Sequence, residues 1–179
     1  MSHILSGCDT LAKKEYLDRH NGVARYVHHA ICKQFHIPTT SKWHTHKPPE
    51  VIMLKNVELL WDTIITTDRP HVFNRPDIVI RDKVNKKCFI IDVSCPNDIN
   101  VMQKEQEKIT KYSGLRVELG RMWDCDCTVI PIVVGGLGVV SNEFMNYIGM
   151  VPADISPILC TKIAILGSEK ILRGFLARR

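Results

Sequence analysis

The sequence predicts an α/β fold, with a mixed central sheet that is flanked by helices and preceded by a helical segment. Three observations predict it. Short β-branched runs fill the middle of the chain, an amphipathic helical pattern follows them, and one more β-branched run comes after that helix. Further helical patterns close the chain. This succession is typical of a sheet covered by helices, although the order of the strands does not follow from it.

The N-terminal part of the chain is predicted to form a helix and an irregular connector. Residues 9–36 contain no proline and carry an apolar stripe at irregular helical spacing. Residues 37–50 then hold three prolines and a Thr-Thr-Ser stretch, which is typical of a connector without regular structure. We therefore divide the chain into a first segment, residues 1–50, and a main domain, residues 51–179.

Periodicity and capping residues define the elements of the main domain. Strands are predicted at residues 58–67, 77–81, 88–93 and 127–134. Helices are predicted at residues 99–123, 142–148 and 156–177. The polar residues 83–87 separate the second and third strands as a hairpin turn would, and Asn97 and Asp98 can cap the long helix.

The composition favours one folded protein without a membrane partner. The chain has 179 residues, of which 45% are hydrophobic and 24% charged, enough for one domain or a domain plus a small appendage. The longest near-apolar run, residues 129–140, is shorter than the ~20 residues that a bilayer span needs. The first residues lack the basic and apolar regions of a secretory signal, so we expect an intracellular protein.

The cysteines and histidines predict no complete zinc site. Seven cysteines occur, none of them in a C-x-x-C pair, and this usage favours reduced thiols over a disulfide framework. His44 and His46 have a spacing that metal ligands use, but in a proline-rich connector we expect them to be solvated. The net charge of +5 is compatible with phosphate binding without proving it.

Two aspartates stand out on successive strands. Asp77 opens one predicted strand, and Asp92 lies in an Ile-Ile-Asp-Val run that otherwise favours burial. A buried carboxylate needs a cation, a hydrogen-bond network or a proton. Two carboxylates on neighbouring strands can bind Mg²⁺ or Mn²⁺, which activates water for phosphodiester cleavage. The alternative is that Pro76-Asp77 forms only a turn and that Asp92 pairs with an arginine.

The predicted helix 99–123 carries a lysine on the face that should meet the sheet. Lys108 lies near the middle of the apolar stripe, whereas Lys104 and Lys111 lie closer to its edge. A lysine beside two aspartates can position the attacking water or stabilise developing negative charge. The alternative is snorkelling, in which the ammonium group reaches past the core to water.

Together these residues form the pattern of the PD-(D/E)xK nucleases: an aspartate at the start of one strand, a second in the next strand, and an inward lysine. One position departs from the commonest version, because Ser94 stands two residues after Asp92, where a lysine is usual. The catalytic lysine must therefore come from the helix. Lys108 is our first candidate, with Lys104 and Lys111 left open.

The chain resembles the polyproteins of site-specific non-LTR retrotransposons that carry a restriction-like endonuclease. The resemblance covers nearly the whole chain in the family's order. It is carried by HILSGCDTLAKKEYLDRHNGVARYVHHAI, KWHTHKPPEV, NRPDIVIRD, CFIIDVSCPND, EKITKYSGL and ILCTKIAILGSEKILRGFL. It implies a PD-(D/E)xK restriction-endonuclease-like core in residues 51–179. The implied activity is a nick in target DNA, whose freed 3′ end primes reverse transcription by an upstream polymerase domain.

The resemblance also implies roles for individual residues. Asp77 and Asp92 correspond to the metal-binding aspartates, and Lys108 to the helical catalytic lysine. The residues that we expect near DNA are Arg19, His20, Asn21, Arg75, Lys104, Lys111 and Tyr112. An exposed basic helix without a DNA contact is the alternative for the Arg-His-Asn segment.

The family places a Cys-Cys-His-Cys zinc knuckle just before the nuclease. Only its second half is present here, as His3 and Cys8, and neither the preceding cysteine pair nor the reverse transcriptase occurs in the chain. We therefore expect no bound zinc and interpret residues 1–50 as a knuckle remnant, a helical segment and the connector. The chain as a whole is interpreted as a retroelement fragment.

The implied partners are a double-stranded DNA target and, in the full-length polyprotein, the element RNA and the reverse transcriptase domain. Cleavage of such a target implies a nuclear location. Two other functions stay open beside a Mg²⁺- or Mn²⁺-dependent endonuclease: a non-catalytic DNA-binding module, and an inert retroelement remnant. Nothing in the residues provides a code for the target sequence.

Overall fold

The computed structural model of the protein describes residues 12–177. A π-helical turn, Ala12–Tyr16, leads into helix α1, Leu17–Gln34, so the predicted N-terminal helix is confirmed over its described part. The connector that follows contains one turn of 3₁₀ helix, Trp43–Thr45. The predicted remnant ligands His3 and Cys8 lie outside the described residues.

A five-stranded sheet forms the centre of the described chain, and its strands lie side by side in sequence order. The strands are β1 Val51–Met53, β2 Val57–Trp61, β3 Ile78–Asp82, β4 Lys87–Ser94 and β5 Asp126–Val133. The first three pairings are antiparallel, and β4 pairs with β5 in parallel. The prediction of a mixed sheet is confirmed. Pro131 is tolerated inside β5 because that strand lies at the edge of the sheet.

Helices flank this sheet, as predicted. The parallel β4–β5 pair needs a crossover connection, and helices α2, Val101–Lys111, and α3, Ser113–Trp123, provide it. Helices α4, Phe144–Met150, and α5, Pro157–Leu176, close the described chain. Within residues 12–177, no helix combines the length and apolar character needed to cross a membrane.

The single long helix predicted at residues 99–123 is two helices. The chain first makes a 3₁₀ turn, Asp98–Asn100, which is capped by the Asn97 side chain. The helical path then breaks at Tyr112, whose φ of −101° and ψ of 8° lie outside the helical range. The Ser-Gly pair that follows has low helix propensity, and this weakens the helix at that point.

The strand predicted at residues 58–67 is shorter than expected, and β1 was not predicted. Strand β2 ends at Trp61 because Asp62 adopts a positive φ of 42°, a conformation that interrupts extended backbone. The stretch from Asp62 to Asp77 then runs without regular structure to β3. Strand β1 has only three residues and is separated from Pro48-Pro49 by Glu50 alone, so its sequence carries little alternation to recognise.

Two hydrophobic clusters cover the two faces of the sheet. One joins the sheet to α1, α4 and α5, and it includes Val27 of α1 and Ile80 of β3. The other lies under α2 and α3, with Ile90 and Tyr112 at its centre. The boundary between residues 50 and 51 stays a prediction, and α1 shares its core with the strands that follow that boundary.

Candidate active site

Asp77 and Asp92 meet at the same end of the β3–β4 hairpin. The last pair of the ladder is Ile78 opposite Ile91, and continuing that register by one residue would place Asp77, which directly precedes β3, opposite Asp92. Directly opposed residues of an antiparallel pair project from the same face of the sheet. Asp92 contacts Tyr112 and Lys108 from the helices over one face of the sheet, and Asp77 also contacts His20 of α1, which covers the other face. Local pairing therefore brings the two predicted metal ligands together.

Asp92 is only 3% exposed, and side chains from the crossover helices compensate its negative charge. The Tyr112 hydroxyl donates to Asp92 Oδ1 at 2.6 Å, and Lys108 Nζ lies 2.5 Å from Asp92 Oδ2. This ammonium group is the only partner of Oδ2 among the described residues, and the contact lacks hydrogen-bond geometry. Burial and the negative charge of Asp92 raise the pKa of the Tyr112 phenol, so its hydroxyl stays a donor.

The three candidate lysines differ in their access to Asp92. Lys108 is the nearest, and its side chain is 19% exposed. Lys111 Nζ lies 3.7 Å from Asp92 Oδ1 and also over the Phe73 and Tyr112 rings, where it makes cation–π contacts. Lys104 instead pairs with Glu107 on the outer surface of α2. The break at Tyr112 allows one helix–helix junction to present two ammonium groups and a hydroxyl to the same carboxylate.

Asp77 is held by backbone and by a helix from far earlier in the chain. Its Oδ2 accepts the Val93 amide at 2.6 Å and lies 3.1 Å from His20 Nε2. His20 Nε2 is also 3.1 Å from the Val93 carbonyl, and His20 Nδ1 is 3.0 Å from Asn21 Oδ1. Burial alone would lower the pKa of His20, but the hydrogen bond and charge of Asp77 outweigh it and raise that pKa to about 9. His20 is therefore cationic at neutral pH.

The predicted DNA-contacting segment of α1 lies beside this site, and its side chains have internal partners. Arg19 is 3% exposed, and its guanidinium donates to Ser168 Oγ and to the Cys95 carbonyl, both at 2.8 Å. His20 and Asn21 bond to each other next to Asp77. Contact between these residues and DNA stays a prediction, while their contacts in the described chain are with protein.

The remaining predicted DNA contacts are spread around the same end of the sheet. Arg75 is exposed and pairs with Asp62 across the loop before β3. The Arg75 carbonyl also lies 3.2 Å from the Tyr112 hydroxyl, which donates its proton to Asp92 at the shorter distance. Tyr112 itself is fully buried, so in this conformation its side chain supports Asp92 rather than an outer surface. Lys104 and Lys111 both lie on α2, and Lys111 is the closer of the two to Asp92.

The donor set fits a hard divalent cation. Carboxylate oxygens from two adjacent strands are the ligands that Mg²⁺ and Mn²⁺ prefer, and such ions are usually bound by one or two protein carboxylates together with substrate phosphates. Asp92 Oδ2 is buried and lacks a hydrogen-bond donor of good geometry, which leaves a lone pair for a cation. At present the Lys108 ammonium group compensates that oxygen's charge.

Sequence reasoning missed one cluster of possible metal ligands elsewhere. His28, Cys32 and His46 are all buried and bring a ligand atom each within 4.8 Å of the others. The expectation that His46 is solvated is wrong, since it is 5% exposed and packs beneath α1. The four-residue spacing of His28 and Cys32, which places both on one helix face, was the available signal.

Neither protein-family models nor curated proteins offer a relative with which this site can be compared. No protein-family model matches the chain, and no curated protein matches its sequence.

Proposed function

We propose that the chain is a metal-dependent DNA endonuclease with a PD-(D/E)xK core, which nicks duplex DNA by phosphodiester hydrolysis. One observation carries the proposal: Asp77 and Asp92 lie at the same end of the β3–β4 hairpin, and a helix places Lys108 against Asp92. The two proposed metal ligands and this cationic group lie at the same end of the hairpin, where Asp77 accepts the backbone amide of Val93, the residue after Asp92. The resemblance to restriction-like endonucleases of non-LTR retrotransposons supports the same function.

Each side chain has a distinct task in the proposed reaction. A Mg²⁺ or Mn²⁺ ion bound here would activate water and offset the charge of the scissile phosphate. Asp77 is oriented for binding by the Val93 amide and by His20, and Asp92 by the Tyr112 hydroxyl. Asp77 and Asp92 would hold the ion, and the Lys108 ammonium group beside Asp92 would orient the attacking water or stabilise negative charge on the phosphate.

The proposed biological setting follows from the resemblance. The nick would supply the 3′ end for target-primed reverse transcription, with the element RNA and a reverse transcriptase domain of the longer polyprotein as partners. The substrate is double-stranded DNA, and we propose that the activity is nuclear. The basic net charge of +5 supports contact with DNA phosphates.

Plasmid nicking tests the activity and its residues. The wild-type chain in Mg²⁺ or Mn²⁺ should convert supercoiled plasmid to open circles, and Asp77→Ala and Asp92→Ala should reduce the rate to background. Lys108→Gln should reduce it by about 10²–10³-fold, the cost of removing one group that stabilises the transition state. The readout is the initial rate of open-circle formation on a gel.

Matched controls separate the site from general damage. Lys104→Gln removes a lysine one turn earlier on α2, where it pairs with Glu107, and should slow nicking less than Lys108→Gln because Lys104 is distant from Asp92. Asp126→Asn alters an exposed aspartate at the far end of the sheet and should be neutral. Equal activity in Lys104→Gln and Lys108→Gln would remove Lys108 from the mechanism. A wild type without activity in either ion would contradict the proposal.

A non-catalytic DNA-binding module is the second candidate, and one observation favours it. A protein cation already compensates each carboxylate: Lys108 pairs with Asp92, and His20 pairs with Asp77. Neither negative charge therefore needs a metal ion to balance it. Asp92→Asn distinguishes the two functions. A nuclease loses cleavage and keeps DNA binding in this variant, whereas a binding module binds but never cuts, even as wild type. A chain that neither binds nor cuts is an inert remnant.

A further inference from the structure

A second group of metal-ligand side chains lies away from the carboxylates, where the connector crosses α1. His28 and Cys32 stand one turn apart on α1, and His46 follows the 3₁₀ turn of the connector. All three are buried: His28 and Cys32 have no exposed surface, and His46 is 5% exposed. Polar groups buried in this way need partners, and here they are mainly one another.

The distances in this cluster are close to those of a zinc site. Tetrahedral zinc with histidine and cysteine ligands holds its ligand atoms about 3.3–3.6 Å apart, from Zn–N of about 2.0 Å and Zn–S of about 2.3 Å. Cys32 Sγ lies 3.5 Å from His28 Nδ1. His28 Nδ1 lies 2.8 Å from His46 Nε2, so these rings need to separate by about half an ångström to admit the ion.

The surroundings of the cluster orient the His46 ring and leave a path to the cluster from solvent. His46 Nδ1 lies 2.8 Å from the Thr39 hydroxyl, on the side opposite the cluster. A second hydrogen bond of this kind orients a metal-bound histidine and determines which ring nitrogen faces the ion. An open groove lined by Cys32, Thr39 and His46 provides a route of entry.

We propose that His28 Nδ1, Cys32 Sγ and His46 Nε2 bind one Zn²⁺ ion, with the fourth position open to the groove. Two imidazoles and a thiol select a thiophilic ion over Mg²⁺, which prefers oxygen. On binding, the Cys32 thiol releases its proton to solvent and coordinates as thiolate. The ion would cross-link the connector to α1 and so fix the position of the segment that leads into β1. This site is independent of the nuclease proposal and revises our expectation of a zinc-free chain.

Cobalt substitution tests the site without any activity assay. The purified full chain should contain about one equivalent of zinc by elemental analysis. After chelation, one equivalent of Co²⁺ should produce thiolate-to-cobalt charge-transfer absorption, which Zn²⁺ then abolishes. Carboxylates cannot produce this band, so ion binding at Asp77 and Asp92 does not mimic it. Chelation should also lower Tm by several degrees, and added Zn²⁺ should restore it.

Three variants assign the band. Cys32→Ala should lose it entirely, while Cys160→Ala, which removes another fully buried cysteine, should keep it. A double variant, His3→Ala with Cys8→Ala, should keep it as well and so excludes the N-terminal pair. His46→Asn should weaken cobalt binding at least tenfold and serves as the test if Cys32→Ala does not fold. The absence of the band from wild type, or its survival in Cys32→Ala, would overturn the proposal.

Discussion

At the scale of single residues, the two aspartates of the site are neutralised in different ways. Asp92 takes a phenol hydroxyl and an ammonium group from the crossover helices, whereas Asp77 takes a backbone amide and an imidazolium from α1. An isolated buried carboxylate would cost several kcal/mol, so both sets of partners stabilise the fold as well as orient the ligands. The contacts of the proposed metal site therefore also contribute to stability.

Glu105 is a buried carboxylate of α2 with a less complete set of partners. It is 3% exposed, and the Ser141 hydroxyl donates to it at 2.6 Å. Burial raises its pKa above the ordinary 4.5, outweighing that hydrogen bond, and the nearby Glu143 adds to the rise. A raised carboxyl pKa means that the ionised form destabilises the folded state. Below pH 4.5 both states are protonated and this cost disappears.

We therefore expect Glu105→Gln to stabilise the protein at neutral pH, because the amide keeps an acceptor for Ser141 without the buried charge. The gain should shrink as pH falls through the raised pKa and should be absent below 4.5. Urea unfolding of variant and wild type across this range measures it. Glu107→Gln, an exposed position on the same helix, is the control. A gain that persists unchanged in acid would contradict the assignment.

At the scale of elements, the β3–β4 hairpin determines the register that brings Asp77 and Asp92, the proposed metal ligands, to one end of the sheet. Asp82 organises its turn: Oδ1 accepts the amides of Val84 and Asn85 at 3.0 and 2.9 Å, and Oδ2 accepts the Asn85 side chain at 2.7 Å. Lys86 completes the turn with a positive φ of 51°. A one-residue slip would turn Asp77 or Asp92 to the opposite face.

Asp82→Ala should lower the free energy of unfolding by about 1–3 kcal/mol, because it removes three hydrogen bonds to a charged acceptor. Asp82→Asn, which retains one acceptor oxygen, should lose less. Urea denaturation monitored by circular dichroism provides both values. Equal stability of Asp82→Ala and wild type would show that strand pairing alone maintains the turn.

At the scale of the whole molecule, α1 is an integral layer of the sheet's core. Val23, Val27 and Ile31 are completely buried against the sheet and α5, and Arg19 ties α1 to both through its bonds to Cys95 and Ser168. His20 extends the same helix to the carboxylate site. Residues on either side of the predicted boundary at residue 50 thus contribute to one core.

A chain reduced to residues 51–179 should consequently fail to fold cooperatively, since the face of the sheet covered by α1 would be exposed to water. The full chain should show a sigmoidal thermal transition, and the shortened chain should show none and should bind a hydrophobic dye. Adding the separate peptide 12–50 in excess serves as a check that the missing contacts are responsible. A cooperative transition in residues 51–179 alone would support the predicted boundary as a true domain limit.

The sequence by itself determined the elements that depend on local patterns. Alternating β-branched runs with a polar turn between them predicted the β3–β4 hairpin, and with it the opposition of Asp77 and Asp92. Helical periodicity predicted that Lys108 faces the sheet, and the helical pattern at residues 156–177 predicted α5, Pro157–Leu176. These features follow from interactions between residues close in the chain.

Only the tertiary structure decided the contacts between distant segments. His20 meets Asp77 across 57 positions and Arg19 meets Ser168 across 149, and no local pattern encodes either pair. The helix breaks at Tyr112, whose buried hydroxyl donates to Asp92. This contact outweighs the helical periodicity of the segment. His46 is likewise buried because α1 covers this part of the connector. Packing, which is non-local, selects such partners from many side chains that are equally suitable in sequence.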